Sequence, residues 1–227
     1  MLFRSDNISK CEDQSGHAII QVAESGENGI IIFGGANHSI TKTHIDNVLC
    51  KFGAGDIMLL QNEINLIHYL IEQAYEKGIQ IALNPSPFNK SIEKLPLNKV
   101  SYLILNKIEG KELTKCISDN GSEILEALKR KYCSTKIVLT LGKEGVVYFD
   151  GTNEYKFGVY DVNILDTTAA GDTFTGYFLA CLIKGFSPER IVEIASKAAS
   201  IAVSREGASP SIPTMKEVLE SNITVTA

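Results

Sequence analysis

Short apolar runs separated by helical patterns are the feature that most restricts the fold of this chain. Four such runs have the length and character of buried strands, and they are residues 56–61, 79–83, 101–105 and 136–141. Patterns of helical period lie between them, at 64–78, 109–118 and 121–131. Strands that are buried on both faces and alternate with helices indicate a parallel sheet in an α/β layer fold.

The two ends of the chain depart from this alternation. Near the N-terminus, two β runs over residues 17–33 flank turn-forming residues at 26–29, which predicts a hairpin. Because an isolated two-stranded ribbon is only marginally stable in water, we expect this hairpin to pack on the α/β body, on a partner or on sequence that is absent here. Beyond a further apolar run at 145–149, helical patterns complete the chain, up to about 185, over 188–204 and from about 214.

Composition argues against several classes of function. The 227 residues carry 22 basic and 27 acidic side chains without a basic cluster, which argues against a nucleic-acid or membrane surface. The five cysteines are scattered and form no C-x-x-C pair, which indicates free thiols in a reducing compartment. No apolar run reaches transmembrane length and the start has no signal-peptide core, so we expect a cytoplasmic protein. The chain contains no P-loop motif, and its histidines do not form a constellation for a His-based triad.

The segment DTTAAGDTF, residues 166–174, places a carboxylate directly behind a glycine at the start of a helix. The backbone amides of Ala169, Ala170 and Gly171 would lie at the positive end of that helix, where unpaired N–H groups bind anions. A carboxylate beside such an anion hole suits phosphoryl transfer, in which Asp172 would take the proton of the attacking hydroxyl. On the residues alone, a helix cap is the simpler explanation of Asp172.

Two other segments follow strands of the predicted sheet. Asn106 and Glu109 come after the run at 101–105, at the carboxyl edge where open α/β sheets bind their ligands. They could hold a hydrated Mg²⁺, or they could form a capping box at the start of a helix. The segment TLGKEG, residues 140–145, could lie against a nucleotide or form a tight β-turn. The segment GAGD, residues 53–56, precedes its strand and is predicted to be a plain connection.

In their order along the chain, five segments resemble the ribokinase-like family of sugar kinases: NPSP, NKIE, TLGKEG, DTTAAGDTF and IAVSREGASPSIP, at 84–87, 106–109, 140–145, 166–174 and 201–213. The resemblance covers essentially the whole chain, and DTTAAGDTF is its most specific part. It implies a three-layer α/β/α fold with a mostly parallel central sheet and a partial β-lid hairpin. It also implies transfer of the γ-phosphate of ATP to a hydroxyl of a small sugar, with D-ribose as the first candidate, in the presence of Mg²⁺ and K⁺.

The resemblance assigns roles to residues by position. Asp172 matches the catalytic base, and Ala169, Ala170 and Gly171 match the anion hole. Asn106 and Glu109 match a pair that organises Mg²⁺ and phosphates through water. The implied contacts to ATP are Asn106, Thr140, Leu141, Gly142, Lys143, Glu144, Gly145, Gly171, Asp172 and Ser196, of which Ser196 stands where the family often has another residue. The implied contacts to the sugar are Glu63 and Asp172.

The resemblance also implies a K⁺ site beside the anion hole. Asp166 and Thr168 match one side of it, and the other side is matched by Ala202, Arg205, Gly207 and Ser211. A carboxylate, hydroxyls and backbone carbonyls suit K⁺, and a cation fixed there would order the loop that carries the amides. A simple ion pair between Asp166 and Arg205 is the alternative.

Compared with full-length members of that family, the chain is expected to lack about the first quarter. The expected missing parts are the opening strand, an aspartate that holds the sugar hydroxyls, and a Gly-Gly-Lys-Gly-Ala-Asn loop. We therefore predict a lid remnant over residues 1–38 and a nucleotide-binding catalytic domain over residues 39–227.

The expected partners are a small sugar and ATP, with a homodimer through the lid as a further expectation. Three hypotheses stay open: a working ribose kinase, a nucleotide-binding protein without kinase activity, and a kinase for fructose, deoxyribose or a nucleoside.

Overall fold

The computed structural model describes residues 5–22 and 28–226. The chain forms two compact units, of which the first ends at Ser101 and the second begins at Tyr102. The predicted boundary after residue 38 separates a lid remnant from the catalytic domain, which is a different kind of division from these compact units. That boundary stays a prediction. Within the described ranges, no helix is both long and apolar enough to cross a membrane.

In the part of the first unit that the structure describes, there are a hairpin, two α-helices and a pair of parallel strands. Strands β1 (His17–Val22) and β2 (Asn28–Phe33) are antiparallel, which confirms the predicted hairpin. Part of its predicted turn at 26–29 lies outside the described residues. The elements that follow are α1 (Lys42–Leu49), β3 (Ile57–Gln61), α2 (Ile67–Glu76) and β4 (Gln80–Asn84), with β3 and β4 paired in parallel.

The hairpin exposes apolar side chains on both faces. Ile19 and Ile31 are opposite each other on one face and are 55% and 63% exposed, and Ile32 on the other face is 52% exposed. The expectation that the hairpin packs on the α/β body is therefore wrong for these side chains, and packing on a partner stays a prediction.

Within its described residues, the second unit contains four strands and five α-helices. The strands are β5 (Tyr102–Asn106), β6 (Lys136–Thr140), β7 (Val146–Phe149) and β8 (Glu154–Phe157). Strands β5 and β6 are parallel, whereas β7 and β8 continue the sheet as an antiparallel extension. The helices are α3 (Lys107–Thr114), α4 (Gly121–Lys131), α5 (Ala170–Ile183), α6 (Pro188–Val203) and α7 (Met215–Glu220).

The apolar runs form the core of each unit. Consecutive residues of β5 and β6, from Leu103 to Leu105 and from Ile137 to Leu139, are at most 2% exposed, so both faces of these strands are buried. Burial of each such side chain stabilises the fold by about 1.5–3 kcal/mol. The prediction of a buried strand is wrong for β3, where Leu59 is 45% exposed, because β3 is the edge strand of its sheet.

Helices α3 and α4 pack closely because Gly110 has no side chain. A Cβ at Gly110 would lie 2.9 Å from Cγ2 of Ile124 and 3.3 Å from Cδ1 of Leu139, both of which are fully buried. Ile124 is branched at Cβ and has little rotamer freedom in a helix, so it cannot move aside easily. In contrast, a Cβ at Gly176 in α5 would meet no atom within 4 Å.

We predict opposite effects of the same substitution at these two glycines. Gly110→Ala should lower the free energy of unfolding by about 1–2 kcal/mol, because overpacking outweighs the better helix propensity of alanine. Gly176→Ala should raise the free energy of unfolding by about 0.5–1 kcal/mol. Urea unfolding of both variants measures this, and equal effects of the two substitutions would contradict the described packing of α3 on α4.

Candidate functional site

The residue directly before helix α5 has a left-handed backbone conformation. Ala169 is the N-cap, with φ 59° and ψ 11°, and its carbonyl accepts a hydrogen bond from Thr173 N at 2.8 Å. The amide of Ala170 donates to Thr167 O at 3.3 Å, so this member of the predicted anion hole is not an unpaired N–H group. A non-glycine residue in this region costs about 1–2 kcal/mol, and such strained residues concentrate at functional sites.

The first turn of α5 opens to solvent at Gly171 and Asp172. Both residues are exposed, and a Cβ at Gly171 would meet no atom within 4 Å. The alternative that Asp172 is the helix cap is wrong, because Ala169 is the N-cap and Asp172 stands three residues later. The carboxylate therefore lies beside an accessible helix N-terminus, where the helix dipole and the first-turn N–H groups attract anions.

Asp166 fixes the loop that leads into α5. Its Oδ1 accepts a hydrogen bond from Thr168 N at 2.8 Å, and its Oδ2 accepts one from Gly207 N at 3.0 Å. The hydroxyl of Thr168 and these two amides stabilise the charged form and lower the pKa of Asp166. Asp166, Thr168 and Gly207, three of the residues predicted to surround K⁺, are thus brought together.

The remaining residues of the predicted K⁺ set lie near the end of α6 and in the loop after it. Ala202 is fully buried, and its carbonyl accepts a hydrogen bond from Arg205 N at 3.0 Å. The hydroxyl of Ser211, which is also fully buried, donates to Ala208 O at 2.7 Å. A donor set of oxygen atoms fits K⁺ better than a transition metal. Among the described residues, no group of three or more His, Cys, Asp or Glu side chains could hold a metal ion.

Arg205 pairs with α7 rather than with Asp166. Its guanidinium nitrogen lies 2.7 Å from Oε1 of Glu217, so the alternative of an Asp166–Arg205 ion pair is not observed. The pKa of Glu217 is lowered to about 2, first by the backbone and hydroxyl of Thr214 and then by Arg205. The Asp166 carboxylate is therefore bound by Thr168 and Gly207, while the nearby arginine is held by a different acid.

Asn106 and Glu109 form a capping box, which is one of the two alternatives that the sequence left open for this pair. The Asn106 side chain accepts from Glu109 N at 2.9 Å, and Glu109 Oε2 accepts from Asn106 N at the same distance. Glu109 is only 5% exposed, whereas Asn106 faces solvent. This geometry fits Mg²⁺ only through bridging water, as the resemblance implies, because direct ligands would have to leave the cap.

The segment 140–145 is a tight turn beside Asn106. Thr140 lies opposite Asn106 in the parallel register of β5 and β6, and Leu141 N donates to Gly145 O at 2.8 Å. Gly145 has φ 89°, and a Cβ there would lie 2.0 Å from Phe157 O, so only glycine fits. A turn and a nucleotide contact are compatible here, because the turn is at the carboxyl edge of the parallel strands.

Two other predicted residues lie on other elements of the chain. Ser196 lies in α6 and is 8% exposed. Glu63 follows β3 in the first unit and faces solvent. Sequence reasoning gave no role to Lys107, whose Nζ lies 3.0 Å from Oε1 of Glu144. A lysine after Asn106 carries no signal by itself, because its partner is 37 positions away.

Known proteins resemble this chain over most of its length. Residues 5–215 match the pfkB family carbohydrate kinase model. The ribokinase of Bacillus subtilis is 34% identical over 209 residues, which are 91% of this chain and 68% of the relative. The ribokinase of Haemophilus influenzae is 31% identical over 214 residues, which are 92% of this chain and 69% of the relative.

The fold agrees with that of a solved structure. The Arabidopsis thaliana ribokinase, determined in complex with ribose and ATP, superimposes with a TM-score of 0.79 at 28% identity. The match covers 92% of this chain and 69% of that protein. The predicted ribokinase-like α/β fold is therefore confirmed. The chain belongs to the pfkB family of carbohydrate kinases.

Proposed function

We propose that this protein transfers the γ-phosphate of ATP to a hydroxyl of a small sugar, with D-ribose as the first candidate and D-ribose 5-phosphate and ADP as products. The observation that carries the proposal is the exposed Asp172 carboxylate beside the open start of α5 at Gly171. Support comes from family membership and from relatives that are ribokinases. Of the three hypotheses, a kinase is supported more strongly than a nucleotide-binding protein without activity.

The proposed reaction divides the work between backbone and side chain. The Gly171 amide and the helix dipole stabilise the negative charge that develops on the transferred phosphoryl group. Asp172 accepts the proton of the sugar hydroxyl as that oxygen attacks phosphorus, and ADP leaves on the opposite side. The turn 140–145 and Asn106 hold the nucleotide so that its terminal phosphate lies in front of α5.

Two metal ions are part of the proposal. Mg²⁺ would neutralise phosphate charge, and Asn106 and Glu109 would orient it through water. K⁺ would be held near Asp166, Thr168, Ala202, Arg205, Gly207 and Ser211, where it would supply fixed positive charge behind the loop 166–169. The hydrogen bond from Gly207 N to Asp166 Oδ2 joins the two sides of that site.

The sugar side of the proposal rests on fewer residues. We assign two contacts to the sugar, Glu63 and Asp172, both from the family resemblance. A homodimer through the hairpin stays a prediction. We propose the cytoplasm as the compartment, because all five cysteines are free thiols, as the sequence predicted.

Replacement of the proposed base separates catalysis from nucleotide binding. Asp172→Asn should lower kcat by about 10²–10⁴-fold, because general base catalysis contributes that much, and should change the affinity for ATP by less than about threefold. Steady-state kinetics and calorimetric ATP titration measure the two effects. Asp161→Asn is the matched control at an exposed aspartate before the loop, and it should leave both unchanged. Equal losses of turnover and ATP affinity in Asp172→Asn would mean that Asp172 is structural.

The cation site predicts a preference among monovalent ions. At equal ionic strength, turnover should be at least about fivefold faster in KCl than in NaCl, a size typical of coupling between two binding sites. Asp166→Asn should abolish that difference, because the site then loses its charged ligand. Equal rates of the wild type in both salts would remove K⁺ from the proposal.

Substrate identity is tested by a panel of acceptors. ADP formation measured with ribose, deoxyribose, fructose and nucleosides should be fastest with ribose. Faster turnover of a hexose or nucleoside would replace ribose as the substrate but keep the kinase. ATP binding without phosphorylation of any acceptor would favour the non-catalytic alternative.

A further inference from the structure

An ion pair joins two segments that we assign to the nucleotide. Lys107 is the first residue of α3, directly after Asn106, and its Nζ lies 3.0 Å from Oε1 of Glu144. Glu144 belongs to the turn between β6 and β7. The lysine side chain is 27% exposed and that of the glutamate 60%, so the pair lies at the surface with its lysine end partly covered.

The two ends of this ion pair differ in how firmly their backbones are held. The start of α3 is fixed by the capping box of Asn106 and Glu109. The turn is exposed at residues 142–144, and a Cβ at Gly142 would meet no atom within 4 Å. The backbone bonds of the turn, from Glu144 N to Leu141 O and from Gly145 N to Gly142 O, close it on itself. A side-chain tie to α3 therefore restricts its movement.

We propose that Lys107 and Glu144 are positioning residues, whose ion pair fixes the turn at 142–144 against the start of α3 in the conformation that binds a nucleoside triphosphate. The inference rests on the proposed function, since it requires that this turn contacts ATP. A binding loop that is ordered in advance loses less conformational entropy when its ligand binds. The pair therefore strengthens nucleotide binding and leaves the chemical step unchanged.

The charges of the pair predict an asymmetry between its members. Without Lys107, the carboxylate of Glu144 keeps its negative charge near the anionic phosphates and repels them. Without Glu144, Lys107 keeps its positive charge and offsets part of the lost order by attraction. Removal of the lysine is therefore more harmful to nucleotide binding than removal of the glutamate.

The test uses four variants and two measurements. The variants are Lys107→Ala, Glu144→Ala, the double alanine variant and the charge exchange Lys107→Glu with Glu144→Lys. Calorimetry with a non-hydrolysable ATP analogue gives the Kd, and turnover with ribose and ATP gives kcat. Lys107→Ala should raise the Kd about fivefold with kcat within about twofold of the wild type, and Glu144→Ala should raise the Kd by less. The charge exchange should bring the Kd back to within about twofold of the wild type.

The matched control is a charge exchange at the other end of α3. Glu112 and Lys115 form an exposed pair at 3.8 Å, and Glu112→Lys with Lys115→Glu should leave Kd and kcat unchanged. If the charge-exchange variant bound the ATP analogue as weakly as Lys107→Ala, the inference would be overturned, since Lys107 would then act without Glu144. So would a fall in kcat at unchanged Kd. These outcomes leave the proposed function intact, whereas a wild type that neither binds the analogue nor consumes ATP would overturn both.

Discussion

The start of helix α5 is the constraint on which the account of this protein depends. Ala169 has a left-handed backbone, and this bend lets the chain enter the helix so that Gly171 and Asp172 lie in its exposed first turn. A side chain at Gly171 would narrow the approach of a phosphate group to the start of α5, and glycine has none. The dipole of a 14-residue helix and a carboxylate thus meet at one open point, which combines attraction for phosphate with a group that can accept a proton.

The surroundings of α5 hold this start in place. Asp166 binds Thr168 on its own loop and Gly207 beyond α6, so one carboxylate ties the entry of α5 to the exit of α6. The amides of Leu165 and Asp166 also donate to Val203 O, at 2.9 and 3.2 Å. The hydrogen bonds from Thr168 and Gly207 lower the pKa of Asp166. The carboxylate therefore stays charged where the proposed K⁺ would lie.

The sequence predicted those elements whose apolar side chains form a clear pattern along the chain. Continuous apolar runs gave β4, β5 and β6, whereas β8 alternates exposed Glu154 and Lys156 with half-buried aromatics and was missed. Helix α1 was missed because only Ile45 and Leu49 of its eight residues are buried, which leaves a weak period. In the site, neither the cap position of Ala169 nor the partner of Arg205 could be read from the chain. The first depends on a backbone angle, and the second depends on where α7 packs.

The most direct test of the central claim is a crystal structure with ribose, ADP and aluminium fluoride, which mimics the transferred phosphoryl group. We predict that the fluoride mimic accepts a hydrogen bond from Gly171 N at about 3 Å, and that a ribose hydroxyl lies within about 3 Å of the Asp172 carboxylate. A mimic bound away from the start of α5, or an Asp172 carboxylate that contacts neither sugar nor mimic, would contradict the account.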